Sequence, residues 1–297
     1  MDQAEQLRNI IKQRNRDPEK KARVITITSG KGGVGKSNAA VNLAVQLRKL
    51  DQKVIIFDAD FGLANVEVMF GAIPKYNLSD LIYRGKQIKD IITSGPMDIG
   101  FISGGSGITG VNNLSRDQIA FLVHNLKALD QIADIILIDT GAGIADSVLE
   151  FVLASPEVLL ITTPDPSSLT DSYSLLKALH RNPNFRKEEA AIKVIANRVT
   201  TVDDGWAVFD KLHAIVSQFL NGSLEYLGMV PMDSAVEKAI RQQIPVAIWN
   251  PEAKSSRAFA NLAEDLLHRT SYHSNEKQGI TQLFYEIIIK RFRGGAK

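Results

Sequence analysis

The sequence predicts an α/β protein: a doubly wound, mostly parallel sheet with helices on both faces. Seven short runs rich in β-branched residues recur along the chain, each followed by a stretch with helical spacing. Several of these runs are apolar throughout rather than alternating, as expected of strands covered by helices on both sides. A glycine-rich loop and several carboxylates fall directly after such runs, at the strand ends where a sheet of this kind binds ligands.

The elements follow in order. Val24-Ile-Thr-Ile-Thr28 leads through Gly30-Lys-Gly-Gly-Val-Gly-Lys-Ser37 into Ala39–Leu47, which has helical periodicity. Val54-Ile-Ile-Phe57 ends in Asp58-Ala-Asp60. Ile99-Gly-Phe-Ile102 comes next, and Ile135-Ile-Leu-Ile138 closes on Asp139 before Thr140-Gly-Ala-Gly143. Val158-Leu-Leu-Ile161, Ile192–Ala196 (followed by Asn197) and Leu224-Glu-Tyr-Leu227 complete the series. No Pro/Gly/Ser-rich linker interrupts the chain between Val24 and His273. Residues 22–273 therefore read as one domain, flanked by a polar, basic segment 1–21 and a terminal segment 274–297.

Composition narrows the function classes. With 35 basic and 33 acidic side chains in 297 residues, the net charge of +2 argues against a wholesale nucleic-acid binder. The absence of cysteine excludes disulfides, thiolate metal sites, iron–sulfur ligation and cysteine nucleophiles. Apolar runs are strand-sized, and Met1–Arg8 has no signal-peptide hydrophobic core, so a cytoplasmic location is expected. The five histidines are scattered, never at metal-ligand spacing.

Gly30–Ser37 in a strand–loop–helix context has the form of a Walker A loop. Backbone N–H groups of Gly30, Gly32, Gly33, Val34 and Gly35 turn inward around phosphate oxygens, and the helix N-terminus adds its positive end. Lys36 reaches the β/γ phosphates, the Ser37 hydroxyl is placed for Mg²⁺, and Asn38 continues the first turn. A carboxylate at a strand end beside this loop is placed to accept a hydrogen bond from an attacking water.

Lys31, near the start of the loop, is a lysine that an ordinary phosphate loop does not require. With it, the loop resembles the deviant Walker A family of ParA/MinD-type ATPases, whose motif reads KGGVGK followed by Ser or Thr. The resemblance implies a weak Mg²⁺-dependent ATPase with a MinD-like P-loop fold. It also implies an ATP-sandwich homodimer in which Lys31 contacts the nucleotide held by the partner. It gives Asp60 the water-orienting role in switch I, with a place beside Mg²⁺. Asp139 becomes the Walker B acid holding Mg²⁺ through water, and Asp58 a neighbour shaping that environment. Lys31, Lys36, Asp60 and Asp139 are then the catalytic set. Asn197 is implied to contact adenine, with Pro231 and Asp233 beside the purine.

The ends of the chain point further. On helical spacing Ile280, Leu283, Phe284, Ile287, Ile288 and Phe292 gather on one side, with Lys290, Arg291, Arg293 and Lys297 at the tail. Such a helix either docks on its own domain or lies in a lipid headgroup region. The MinD-like resemblance favours reversible attachment to the inner face of the cell membrane. Asp2-Gln-Ala-Glu-Gln-Leu-Arg8 resembles the DQAxxLR motif that opens the FlhG (YlxH) branch, which governs flagellar number and placement. Asp58–Asn65 and Thr162–Asp171 are similar to the same branch. This implies that residues 1–21 stimulate the GTPase FlhF through Gln3 and Arg8, and that basal-body (C-ring) proteins are further partners. The alternatives are a division-site MinD ATPase and a ParA-type DNA segregation ATPase.

Overall fold

The structure is a computed structural model. It describes residues 21–60, 65–105, 116–187, 190–268 and 279–294. The strands are β1 (Arg23–Ser29), β2 (Val54–Ala59), β3 (Thr93–Ser94), β4 (Gly100–Ser103), β5 (Ile135–Ala142), β6 (Glu157–Thr162), β7 (Ala191–Val199) and β8 (Glu225–Pro231). The helices are α1 (Lys36–Lys49), α2 (Asn65–Phe70), α3 (Leu78–Arg84), α4 (Ile88–Ile91), α5 (Arg116–Ile132) and α6 (Asp146–Ala154). They continue with α7 (Pro166–Arg181), α8 (Val202–Leu220), α9 (Ser234–Arg241), α10 (Val246–Trp249), α11 (Lys254–His268) and α12 (Gly279–Gly294).

One eight-stranded sheet runs in the order β3-β4-β2-β5-β1-β6-β7-β8, and every pair is parallel except β3 with β4. All seven expected strands are present. β3 was not expected, because two residues carry no readable periodicity. β1 lies between β5 and β6, and β5 lies between β1 and β2, so the loops after β1, β2 and β5 converge. The central strands are buried along most of their length, which is why they read as continuous apolar runs.

The apolar interior divides across the sheet. On one face α1, α10 and α11 pack through Leu43, Leu47, Val246, Phe259 and Leu262. Buried polar side chains fix α1 there: Asn42 accepts from the Ala247 N–H at 2.9 Å, and Gln46 donates to the Ser256 carbonyl at 3.0 Å. These bonds satisfy groups that would otherwise be costly to bury.

The opposite face corrects one expectation. The sequence sets the terminal segment 274–297 apart from the domain, yet α12 packs within the main core, against α5, α6 and β1. Ile280, Leu283, Phe284, Ile287 and Ile288, expected to face lipid, are at most 4% exposed. Phe284 meets Phe57 and Phe151 edge-on, with centroids 5.6 and 5.7 Å away. An apolar stripe requires only an apolar partner, and here its own sheet supplies one. The Phe292 side chain lies outside the described residues, as do Gln3 and Arg8.

At the amino ends of the strands, Glu157 accepts two bonds from Arg23 at 2.8 Å and one from buried Lys193 at 2.7 Å. Removing the acid leaves the Lys193 ammonium buried without its carboxylate. Glu157→Ala is expected to cost about 3–5 kcal/mol of stability, read from urea unfolding curves; a loss below about 1 kcal/mol would show that water replaces the carboxylate.

Candidate functional site

α1 begins on Gly35, which sits in the left-handed region at φ 95°, with no side chain capping the helix. A Cβ at Gly35 would lie 2.4 Å from the Asn197 amide nitrogen, so only glycine permits both the turn and this approach. The uncapped first-turn amides thus remain available to an anion. Asn197 binds the loop from behind. Its amide donates to the Val34 carbonyl at 2.7 Å, and its oxygen accepts from the Arg198 N–H at 3.0 Å.

A cavity of about 760 Å³ opens here. Gly32, Gly33, Gly35, Lys36, Ser37 and Asn38 line its floor, Asp60 and Asn65 one wall, and Asn197, Pro231 and Asp233 another. The structure therefore brings the expected phosphate-loop, switch and base-side residues to one place. The strand order explains why, since the ends of β1, β2, β5, β7 and β8 all open on the same edge.

Beneath the cavity two carboxylates stand side by side. Parallel pairing of β2 with β5 sets Asp58 opposite Asp139. Burial pushes the Asp58 carboxyl up to about 7, helped by the neighbouring Asp139 charge and opposed by the Asp60 and Val66 N–H groups that it accepts. Burial also raises Asp139, against the pull of the Lys36 ammonium that pairs with one of its oxygens. The other oxygen, Oδ2, is buried and has no hydrogen-bond partner among the described residues. An orphaned carboxylate oxygen beside the Ser37 hydroxyl suits a hydrated divalent cation, so these residues fit Mg²⁺. Among the described residues no group of three His, Asp or Glu side chains is placed to hold a metal ion.

Asp60 is half-buried on the cavity wall, within 3.4 Å of the Asn65 amide. Residues 61–64, between them in sequence, lie outside the described residues. Asp233 lines the cavity, but its carboxylate is already used. It caps α9 through the Ala235 N–H at 2.9 Å and accepts from the Ser255 N–H and hydroxyl at 3.0 and 2.9 Å. Burial pulls its pKa up, and these bonds overcome that to hold it below the usual carboxylate range. Its side chain works on the protein, so its place beside a base would be through the backbone turn.

Lys31 does not join its own cavity. It is exposed, and its ammonium donates to the Ser167 hydroxyl at the start of α7, at 2.6 Å. The two loop lysines therefore part: Lys36 points in and Lys31 points out. Sequence reasoning missed the wall made by Val236, Glu237 and Ile240 of α9. Their i, i+1, i+4 spacing marks one helix face, but nothing local indicates that it fronts a cavity.

The raised Asp58 pKa has a direct consequence. The folded chain holds a proton on Asp58 that the unfolded chain releases near pH 4, so its contribution weakens stability as pH rises from about 4 through about 7. Unfolding free energy should fall across that window by up to about 1.4 kcal/mol per pH unit, and Asp58→Asn should flatten the profile. Urea titrations from pH 5 to 8.5 check this; identical slopes in parent and variant would refute it.

Comparisons with known proteins agree with this geometry. Residues 20–267 match a family described as "ParA: NUBPL iron-transfer P-loop NTPase", although a chain with no cysteine has no thiolates for an iron–sulfur cargo. The antiactivator FleN of Pseudomonas aeruginosa is 39% identical over 241 residues, spanning 81% of this chain and 85% of its own. The flagellum site-determining protein YlxH of Helicobacter pylori is 32% identical over 302 residues, spanning 96% and 98%. The solved structure of the septum site-determining protein MinD from Pyrococcus horikoshii, in complex with Mg-ADP, superposes with a TM-score of 0.65 at 25% identity, covering 86% of this chain and all of that one. With a KGGVGKS loop over paired aspartates and relatives of this kind along nearly its whole length, the chain belongs to the MinD/ParA family of deviant Walker A P-loop ATPases, in its FlhG (YlxH) branch.

Proposed function

We propose that this protein is a nucleotide-switched regulator of flagellar number and placement, in which ATP joins two copies and slow Mg²⁺-dependent hydrolysis parts them. The observation that carries this reading is the divergence of Lys36 and Lys31. A lysine exposed beside the phosphate loop, outside its own cavity, is free to reach phosphate on a second copy.

In the cavity, the loop amides and the N-terminus of α1 hold the phosphates, and Lys36 exchanges its Asp139 partner for phosphate oxygens. Asp60 orients the attacking water by accepting its hydrogen bond. Lys31 from the opposite copy offsets the charge that develops on the transferred group. Ser37 and Asp139, with Asp60 nearby, would hold Mg²⁺, which when bound would supply positive charge to offset that of the phosphates. Asn197 and the Pro231–Asp233 turn enclose the base.

The names of FleN and YlxH carry the flagellar assignment. On this reading the Gln3 and Arg8 segment acts on FlhF, the glutamine orienting water and the arginine offsetting phosphate charge at that enzyme's site. Basal-body proteins read the dimer surface. α12 leaves its groove in the ATP state and lays Ile280, Leu283, Phe284, Ile287, Ile288 and Phe292 into the membrane, with the basic tail near anionic headgroups. Among the described residues no helix is long and apolar enough to cross a membrane, so attachment would be peripheral and reversible, from the cytoplasm.

Lys31→Ala is expected to keep ADP affinity within about threefold, lose ATP-dependent dimers by light scattering, and lower turnover about 100-fold or more. A variant that dimerises and hydrolyses ATP like the parent would overturn the proposal. Deleting residues 1–20 should abolish stimulation of FlhF while leaving ATP turnover unchanged, as read by phosphate release in the mixed and separate enzymes.

A further inference from the structure

One carboxylate outside the nucleotide site gathers both ends of the described chain. Asp130, in the last turn of α5, is 5% exposed. Its Oδ1 accepts from the Ile280 N–H at 2.8 Å, and its Oδ2 accepts from the Thr281 N–H at 3.3 Å and the Thr281 hydroxyl at 2.8 Å. These are the first donors of α12. The backbone N–H of Ala22, a fully buried residue just before β1, also lies near enough to favour the charged form of the same carboxylate. Burial raises the Asp130 carboxyl, and the donors of Ile280 and Thr281, with the nearby Ala22 N–H, act against that cost.

The approach is close enough to select the residue that makes it. Gly279 has φ 71°, and a Cβ there would lie 2.8 Å from both Asp130 oxygens. A helix is ordinarily capped by its own preceding residue; α12 is capped by a side chain 150 positions earlier. The bond therefore reports docking, not helix formation. If α12 left, Asp130 would lose the three donors of Ile280 and Thr281, and its carboxylate beside Ala22 would open to water.

We propose that Asp130 is a positioning residue that latches α12 in its groove and ties that docking to the entry of the chain into β1, so that release of α12 loosens the lead-in of the N-terminal segment as well. This deepens the reading of α12 as a releasable helix, on which it rests. It makes lipid attachment and presentation of residues 1–21 one event, joined through a single carboxylate.

The test uses the full chain without nucleotide or lipid, with amide hydrogen exchange followed by mass spectrometry and trypsin cleavage after Lys21. Asp130→Ala and Asp130→Asn should each speed exchange across 280–288 about tenfold or more, and exchange at 22–24 and cleavage after Lys21 should rise with it. Thr281→Val removes one donor without touching α5 or β1 and should give a smaller rise at both ends, which keeps the test usable if the Asp130 variants fold poorly. Parent-like exchange over 280–288 in all three variants would overturn the latch. Faster exchange there with 22–24 unchanged would overturn the coupling. Flotation on vesicles of phosphatidylglycerol and phosphatidylethanolamine forms a separate arm. Asp130→Ala should bind them without ATP; if exchange rises at both ends and no vesicle binding follows, the latch stands and the membrane reading of α12 fails.

Discussion

Two buried aspartates facing each other across one strand pair, with a single ammonium between them and the loop, set the terms for the rest of this molecule. Parallel register places Asp58 against Asp139, and Lys36 offsets only part of their charge. A buried charge deficit of this kind is expensive unless protons or cations relieve it. Asp58 takes a share through its raised proton affinity, and Asp139 keeps one oxygen without a partner. The site is thus prepared for a cation, and Lys36 is held where phosphate can claim it.

The surrounding framework makes the arrangement rigid. Asn197 braces the Val34 carbonyl from β7, and Thr140 of β5 donates to the Ile27 carbonyl of β1 at 3.2 Å. The strand that leads into the phosphate loop and the segment that follows Asp139 are therefore tied to each other through the sheet centre. Movement of one has a physical route to the other, which is what a nucleotide-dependent switch requires. Lys31 lies at the edge of this network, tied by one exposed hydrogen bond to α7, and is cheap to redirect.

α12 shows how an apolar stripe is met by the surface that receives it. Its apolar side fills the layer between α5 and α6, where Phe57 and Phe151 receive Phe284. Withdrawing it would expose a comparable apolar surface on the sheet, so any released state has to cover both. The polar contacts of Ile280 and Thr281 with Asp130 add to this apolar docking at the helix start.

Read alone, the sequence determined the strand-and-helix alternation, the phosphate loop and the acids at strand ends, because strand burial and loop chemistry are written in neighbouring residues. Every expected strand is found, and Gly32, Gly33, Gly35, Lys36, Ser37 and Asn38 of the loop reach one cavity with Asp60, Asn197, Pro231 and Asp233, while Gly30, Lys31 and Val34 do not line it. What tertiary structure alone decided is which distant groups meet: Asp58 with Asp139, Lys31 with Ser167, Asp233 with Ser255, and α12 with its own core. An amphipathic stripe states that one side avoids water, and an aspartate states that it will accept donors. Neither states which surface or which donors, since that follows from strand order and register, which bring together residues distant along the chain.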